Sequence, residues 1–209
     1  MTYTTVLFDL DGTLVHTGPT YRYTVVGKVL SNVGKSASEK VIDRFWFNTG
    51  RDIIVQKEFG IDPILFWKMY QRYETLDLRR QHIKAYPDAK RTVQNLKKRG
   101  IKIGLVSGAP RKIVELELEL IDADLFDTII IAHTTEGVRP KPDPEGIHKA
   151  LENLQTQPQR AVYIGNADED IIAAQNAQVL DILINRDETF CRERPTRTIH
   201  TLDEVFSLI

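Results

Sequence analysis

The sequence predicts an α/β fold in which helices cover both faces of a parallel sheet and a small all-helical domain is inserted after the first strand. Short apolar runs alternate with helical patterns through the second half of the chain, as in a doubly wound parallel sheet. By contrast, no strand-like run occurs between Thr13 and Pro87. Polar and acidic residues directly follow the apolar runs, which indicates a functional site at the carboxyl edge of the sheet.

Five short apolar runs are interpreted as buried parallel strands, because they are rich in valine, isoleucine and leucine and are bounded by polar or turn residues. Apolar residues recur at helical spacing in three stretches that separate these runs, which predicts amphipathic helices. The predicted strands are Thr4–Phe8, Ile101–Val106, Thr128–Ala132, Ala161–Ile164 and Val179–Ile184. The helical patterns contain Ala89, Val93 and Leu96, then Ile113, Leu116 and Leu120, then Ile147, Ala150, Leu151 and Leu154.

A segment of about 70 residues after the first strand contains helical patterns only, and a segment of that length can form a small domain of its own. Gly34, Gly50 and the stretch 60–63 separate these patterns. We therefore predict a core formed by residues 1–15 and 86–209, and a helical cap formed by residues 16–85. The predicted cap helices are Tyr21–Val33, Ser38–Phe47, Arg51–Phe59 and Pro63–Arg80.

The composition argues against several classes of function. The 209 residues carry a net charge of −1, so we expect no nucleic-acid partner and no attraction to an anionic membrane. No stretch approaches the ~20 apolar residues of a membrane span. Cys191 is the one cysteine, so the chain has no internal disulfide, which is typical of proteins of the reducing cytoplasm. We therefore expect a cytoplasmic protein. We also expect it to be a monomer or a homodimer. Charged residues and Pro195 surround Cys191, which makes it a poor candidate nucleophile.

The strongest functional signal is the run Asp9-Leu10-Asp11-Gly12-Thr13, which directly follows the apolar residues 6–8. Gly12 permits a turn there, and the alternation of a strand places Asp9 and Asp11 on one face. Two carboxylates crowded at the end of a strand repel each other unless a cation lies between them. Oxygen ligands of this kind are those that Mg²⁺ prefers, so the run predicts a metal-dependent site.

Three further polar segments follow later predicted strands. Ser107-Gly108 comes after the second strand, Lys141 lies among prolines downstream, and the acidic segment 165–170 follows the fourth strand. Because the carboxyl ends of parallel strands meet at one edge of a sheet, these segments should converge with Asp9. Their chemistry fits phosphoryl transfer, since a phosphomonoester is a dianion with a poor leaving group and needs both a nucleophile and cationic donors.

In order and over nearly the whole chain, these four segments resemble the motifs of the haloacid dehalogenase-like (HAD) superfamily. The likeness is to its phosphoglycolate phosphatase-like and β-phosphoglucomutase-like members, which combine a Rossmann-like core with a helical cap. The resemblance implies a Mg²⁺-dependent phosphatase that hydrolyses a small phosphorylated metabolite through an aspartyl-phosphate intermediate. It implies that Asp9 is the nucleophile, Asp11 the general acid and base, and Lys141 the partner of the nucleophile and the phosphoryl group. It also implies substrate binding by Thr13, Ser107 and Gly108, and metal binding by Asp9, Asp11, Asn166 and Asp170.

Asn166 departs from the family pattern, in which an acid usually follows this glycine directly. The carbonyl oxygen of an asparagine still binds Mg²⁺, but it brings no negative charge. Asp170 matches the later acid of the motif, and Asp168 is an additional candidate ligand. We therefore expect a working but weaker metal site.

Two residues of the predicted cap each have two possible roles. Arg51 lies at a position that resembles the cap loop reaching the active site in relatives, and it either binds a second anionic group of the substrate or is an ordinary surface arginine. His16 either faces the substrate or is a hinge residue. Two alternatives to a phosphatase stay open: a phosphomutase of the same mechanism, and a catalytically weakened protein that keeps the fold to bind a ligand.

Overall fold

Two compact units make up the chain in the computed structural model, which describes residues 3–48, 50–186 and 191–209. The first unit combines residues 1–16 with residues 85–209, and the second comprises residues 17–84. The predicted boundaries of core and cap lie one residue from these positions. That the first unit is a catalytic core and the second unit its cap stays a prediction.

The first unit is built on a parallel sheet of six strands. The strands of the chain, in order, are β1 (Thr5–Phe8), β2 (Val15–Thr17), β3 (Ile83–Ala85), β4 (Lys102–Ser107), β5 (Thr128–Ile131), β6 (Ala161–Gly165), β7 (Leu180–Ile184) and β8 (Arg197–Ile199). The order across the sheet is β5-β4-β1-β6-β7-β8, and all of its neighbouring strands run parallel. The predicted α/β fold class is therefore confirmed. Because β1 lies between β4 and β6, the loops that follow these three strands are neighbours.

Helices alternate with the strands of this sheet, as the apolar periodicity predicts. The α-helices are α1 (Pro19–Asn32), α2 (Glu39–Phe47), α3 (Arg51–Ile54), α4 (Pro63–Tyr73), α5 (Leu76–His82), α6 (Ala89–Lys98), α7 (Arg111–Ile121), α8 (Glu145–Asn153) and α9 (Asp168–Asn176). In the first unit, apolar residues of α8 and α9 pack with buried strand residues such as Leu7, Val106 and Tyr163. This core holds the ends of the central strands in place.

Three short strands were not predicted from the sequence. β8 pairs with β7 in the register Ile182↔Arg197, whereas the mixed charges of the stretch Arg186–Arg197 predict a solvated loop. β2 and β3 form a separate two-stranded sheet within a region in which the sequence shows no strand. All three strands have three residues, which is too short for alternation of apolar and polar side chains to be recognised.

The second unit is all-helical apart from its parts of β2 and β3, and its helices enclose an aromatic core. Phe45, Phe59 and Phe66 pack ring against ring at centroid distances of 5.2–5.7 Å. The predicted helix Pro63–Arg80 is in fact two helices, because Thr75 interrupts it and caps α5 by accepting a hydrogen bond from the Leu78 N–H. The predicted helix Arg51–Phe59 likewise changes after α3 into a π-helical turn, Val55–Phe59.

Candidate active site

The carboxyl ends of three adjacent strands carry predicted site residues. β1 ends directly before Asp9, and its neighbours β4 and β6 end at Ser107 and Gly165. The backbone N–H of Asp9 donates to the carbonyl of Ile164 at 2.9 Å, which ties the first motif to the end of β6. Asp9 and Ser107 are both buried. The first, second and fourth motifs therefore share one edge of the sheet.

Lys141 joins the third motif to this edge. Its ammonium donates to Asp9 Oδ1 at 2.6 Å, to Asp170 Oδ1 at 2.5 Å and to the Tyr163 hydroxyl at 3.2 Å. An ammonium has three N–H groups, so each of them has an acceptor here. The Lys141 side chain is only 7% exposed, and in a buried site such charge-assisted hydrogen bonds are strong. Lys141 is thus the residue through which the two carboxylates are brought together.

Burial and charge set the protonation of this cluster. Burial raises the pKa of Asp9 to about 7, and the Asp170 carboxylate adds to the rise while Lys141 opposes it. For Lys141, burial disfavours the charged form, but the carboxylates of Asp170 and Asp9 outweigh it and hold the pKa well above its ordinary value. Lys141 therefore stays protonated at neutral pH and supplies a fixed positive charge to the site.

Asp170 organises the loop of the fourth motif. Its Oδ2 accepts the backbone N–H groups of Asn166 and Ala167, each at 3.0 Å, and its Oδ1 accepts from Lys141 and lies 3.2 Å from the Tyr163 hydroxyl. Gly165 allows this approach, because a Cβ there would lie 2.4 Å from the carboxyl carbon of Asp170. Both oxygens of Asp170 are thus engaged by protein donors, whereas the sequence predicts that Asp170 binds the metal.

The turn of the first motif packs directly against Asn166. Gly12 has a φ of +91°, and a Cβ at this position would lie 2.2 Å from Asn166 Nδ2, so both the backbone conformation and the available space require glycine. The buried Thr13 hydroxyl lies 3.3 Å from Asp9 Oδ2 and 3.4 Å from Asn166 Oδ1. Thr13 therefore links the predicted nucleophile to the residue that replaces the family's acid.

The donors around Thr13 fit a Mg²⁺ ion. Asp9 Oδ2 and Asn166 Oδ1 are hard oxygen ligands that face one hydroxyl, and Asp11 lies half-buried on the same turn. Mg²⁺ is commonly held by one or two carboxylates together with waters and substrate phosphate, rather than by an all-protein cage. Among the described residues, no group of three or more histidine, cysteine or acidic side chains is arranged to hold a metal.

Ser107 and Gly108 lie beside the stem of Lys141. The Ser107 Oγ accepts the backbone N–H of Ala109 at 3.2 Å. A methyl group on Gly108 would lie 3.9 Å from Lys141 Cε, at an ordinary contact distance. The second motif therefore lies beside the Lys141 side chain, and its role in substrate binding stays a prediction.

Asp168 makes contacts that were not predicted. Its Oδ1 accepts the Cys191 thiol at 2.9 Å and the backbone N–H groups of Arg192 and Glu193 at 2.7 and 3.1 Å. Burial and the bond to Asp168 raise the pKa of Cys191 to about 12, so its thiol is unreactive at neutral pH. Asp168 thus anchors the segment after Cys191, and the low reactivity of this cysteine agrees with its sequence context.

Arg51 and His16 each make contacts within their own unit. In the second unit, the Arg51 guanidinium donates to the Trp46 carbonyl at 3.0 Å and lies 6.0 Å from the centre of the Phe45 ring. In the first unit, the His16 ring packs on Tyr86 at a centroid distance of 4.7 Å. The role of Arg51 in substrate binding stays a prediction.

Tyr163 is a site residue that sequence reasoning missed. It is fully buried in β6, where a tyrosine reads as one more apolar strand residue. Its hydroxyl contacts Lys141, Asp170 and the carbonyl of Val106. The sequence feature that could have revealed this role is the hydroxyl of Tyr163. A buried tyrosine hydroxyl needs hydrogen-bond partners, and Tyr163 lies two residues before the acidic segment 165–170.

A comparison with protein families identifies the class of protein to which this chain belongs. The family model of the haloacid dehalogenase-like hydrolases matches residues 6–184, so the chain belongs to this family, as the motifs predict. It is therefore an enzyme, a phosphohydrolase of the haloacid dehalogenase-like type.

Individual relatives cover most of the chain. It is 31% identical to the pyrophosphatase PpaX of Bacillus cereus over 180 residues, which are 85% of this chain and 81% of that protein. The crystal structure of a protein from Lactobacillus plantarum, provisionally named phosphoglycolate phosphatase, superposes with a TM-score of 0.80 at 25% identity over the whole of both chains. A HAD family hydrolase of Deinococcus radiodurans, crystallised with phosphate and sodium, shares the fold at 20% identity, a TM-score of 0.76 and 99% and 94% coverage of the two chains.

None of the helices in the described residues is long and apolar enough to cross a membrane.

Proposed function

We propose that this enzyme is a Mg²⁺-dependent phosphatase that cleaves a small phosphorylated metabolite in the cytoplasm through an aspartyl-phosphate on Asp9. The observation that carries the proposal is the buried cluster in which Lys141 lies 2.6 Å from Asp9 and 2.5 Å from Asp170. Such a cluster combines a carboxylate nucleophile with a fixed positive charge beside it.

Binding of the phosphoryl group is assigned to Lys141 and the second motif. The ammonium of Lys141 neutralises part of the dianion, and the Ser107 hydroxyl with the backbone near Gly108 donates to phosphoryl oxygens. Because the ammonium is already bonded to three acceptors, we expect the weakest contact, at 3.2 Å to the Tyr163 hydroxyl, to yield to the phosphoryl oxygen.

The reaction then proceeds in two displacements. An oxygen of Asp9 forms a bond to phosphorus while the ester P–O bond breaks, and Asp11 gives its proton to the departing alkoxide. Asp11, now ionised, takes a proton from a water whose oxygen attacks phosphorus, and this step releases inorganic phosphate and restores Asp9. Lys141 stays protonated throughout and offsets the negative charge at the nucleophile.

Metal binding is assigned to the side chains of Asp9 and Asn166 and to the backbone carbonyl of Asp11, which leaves the Asp11 carboxyl to carry the proton. Bound there, Mg²⁺ would neutralise charge on the phosphoryl oxygens. Asp170, whose oxygens are taken up by Lys141, Tyr163 and two loop amides, supports the site by orienting Lys141.

The substrate has two candidate classes. A small phosphomonoester fits the cluster and the relative named as a phosphoglycolate phosphatase. Inorganic pyrophosphate is the second candidate, because the relatives similar in sequence include proteins named pyrophosphatase. Both classes present a terminal phosphoryl group, so the proposed mechanism applies to each.

Turnover of p-nitrophenyl phosphate with and without Mg²⁺ tests the proposal, together with a panel of phosphorylated metabolites and pyrophosphate. We expect release of phosphate that needs Mg²⁺ and is lost in Asp9→Asn. Asp203→Asn, which changes an exposed aspartate of the first unit, is the control and should retain activity. Full activity of Asp9→Asn, or no turnover of any phosphate compound by the wild type, would refute the proposed function.

A further inference from the structure

Arg186, which lies two residues after β7, contacts the turn of the first motif. Its guanidinium donates to the carbonyl of Thr13 through Nη2 at 2.9 Å and Nε at 3.2 Å. The same Nη2 also donates to Asp88 Oδ1 at 2.9 Å, and Nη1 donates to Asp88 Oδ2 at 3.1 Å. A residue outside all four motifs is thus bonded to the backbone of one of them.

The guanidinium of Arg186 is held firmly in this position. Its side chain is 10% exposed, and its central carbon lies 3.8 Å from the centre of the Tyr86 ring. Asp88 is itself fixed, because its Oδ2 also accepts the backbone N–H of Leu202 at 2.8 Å. Burial disfavours the ionised form of Asp88, but the bonds from Arg186 and Leu202 outweigh it and keep its pKa below the ordinary value. Arg186 is therefore a rigid donor rather than a mobile surface side chain.

Thr13 connects Arg186 to the reacting groups. The carbonyl of Thr13 accepts from Arg186, while its hydroxyl reaches Asp9 Oδ2 and Asn166 Oδ1 at 3.3 and 3.4 Å. A shift of the Thr13 backbone would move that hydroxyl away from both side chains. Misplacement of a catalytic group by about 1 Å can lower a rate by about 100-fold.

We propose that Arg186 is a positioning residue: it holds the Thr13 carbonyl, and through it the hydroxyl that orients Asp9 and Asn166. The inference rests on the proposed function of Asp9. It requires the forked guanidinium, because one planar group bonds Thr13 and Asp88 at the same time, which the single ammonium of a lysine cannot do with this geometry.

The test compares Arg186→Lys and Arg186→Met with the wild type in p-nitrophenyl phosphate turnover. We expect kcat to fall about 100-fold in Arg186→Met and about 10-fold in Arg186→Lys, with KM within about threefold, because the turn and not phosphate binding is disturbed. Arg91→Met is the matched control, since Arg91 pairs with Asp203 at an exposed position of the same unit and should leave kcat unchanged.

A double-mutant cycle separates positioning from general stabilisation. If Arg186 acts through Thr13, Arg186→Met should cost only about twofold in kcat in a Thr13→Val background, because the hydroxyl it positions is already absent. Equal losses in both backgrounds, or a wild-type kcat in Arg186→Met, would overturn the proposal.

Hydrogen exchange gives a readout that does not depend on activity. The amides of residues 9–15 should exchange faster in Arg186→Met and Arg186→Lys than in the wild type, while those of β5 keep their protection in both variants. Unchanged exchange of residues 9–15 would show that Arg186 does not hold the turn. Should the wild type fail to cleave any phosphate compound, the proposed function falls, but this exchange comparison still decides whether Arg186 holds Thr13.

Discussion

The three N–H groups of Lys141 account for most of the geometry of the site. They reach Asp9 at the end of β1, Tyr163 within β6 and Asp170 in α9, and Asp9 lies 132 positions from Lys141 in the sequence. Without this ammonium, two buried carboxylates would face each other, and such an arrangement raises the pKa of at least one of them. The ammonium therefore compensates the charge of both carboxylates in this buried cluster.

Asn166 is the residue at which a single change gives the clearest prediction. Asn166→Asp adds a negative charge beside Asp9 Oδ2 without changing the size of the side chain, so we expect Mg²⁺ affinity to rise by about tenfold. Titration calorimetry of Mg²⁺ binding measures this directly, and the Mg²⁺ concentration for half-maximal activity should fall in parallel.

The control for this change is Asn153→Asp, an exposed asparagine at the end of α8, which should bind Mg²⁺ like the wild type. If Asn166→Asp and the wild type bind Mg²⁺ equally well, Asn166 is not at the metal.

At the scale of the element, α8 shows how one helix start positions a loop. Glu145 begins this helix and accepts the Arg139 backbone N–H at 3.1 Å and its Nε at 2.8 Å. The segment between the two residues carries Lys141. Glu145 thus closes the loop that delivers the ammonium to Asp9.

Glu145 gives the chain a pH dependence that can be measured. Hydrogen bonds from Arg139, first of all, and from Lys149 lower the pKa of Glu145 from 4.5 to about 2. Since the fold favours the ionised form, its contribution to stability is complete above pH 4.5 and is lost as the pH falls toward 2. Urea unfolding should therefore show Glu145→Gln less stable than the wild type at pH 7, with the difference shrinking below pH 4.5.

Glu152→Gln, on the exposed side of the same helix, is the control and should unfold like the wild type at pH 7. A difference between Glu145→Gln and wild type that stays constant from pH 7 to pH 3 would contradict the assigned pKa.

The boundary between α4 and α5 shows that apolar spacing alone is insufficient to predict where a helix ends. The periodicity of Pro63–Arg80 continues through residues 74 and 75, and so predicts one helix where α4 and α5 are separate. The stop depends on Thr75, whose hydroxyl caps α5. A threonine between two helical patterns is a known cap residue, so this break could have been found by weighing capping as well as apolar spacing.

At the scale of the whole molecule, the two units have separate hydrophobic cores. The second unit is centred on residues such as Phe45 and Phe66, and the core of the first contains Leu105 of β4. Among the described residues, the cluster around Phe66 and the cluster around Leu7 have no member in common, so a cavity in one should first weaken the unit that contains it.

Two large-to-small changes test this independence. Phe66→Ala should lower the free energy of unfolding of the second unit by about 3–5 kcal/mol, and hydrogen exchange should speed up in residues 17–84 while β1 and β4 remain protected. Leu105→Ala should have the reverse pattern, with a loss of about 2–5 kcal/mol in the first unit. Equal acceleration of exchange in both units, for either variant, would show that they unfold as one.

The sequence by itself determined the α/β fold class, the five longer strands and the family. These features depend on local patterns: apolar runs mark buried strands, and polar residues directly after them mark the edge at which the loops meet. Asp9, Ser107 and the segment 165–170 were recognisable in this way, because each lies at a strand end or directly follows one. Lys141, ten residues beyond β5, was recognisable only from its place in the order of the four motifs.

Only the tertiary structure decided which of these groups touch. Lys141 reaches Asp9 across 132 positions of sequence, and Arg186 reaches Thr13 across 173, so no local spacing could reveal either contact. The partners of Asp170 were likewise not predictable from the sequence: its oxygens accept hydrogen bonds from Lys141, Tyr163 and two loop amides. Periodicity specifies which face of an element is buried, but the partner of a buried polar atom depends on how separate elements pack, and that is a property of the folded chain.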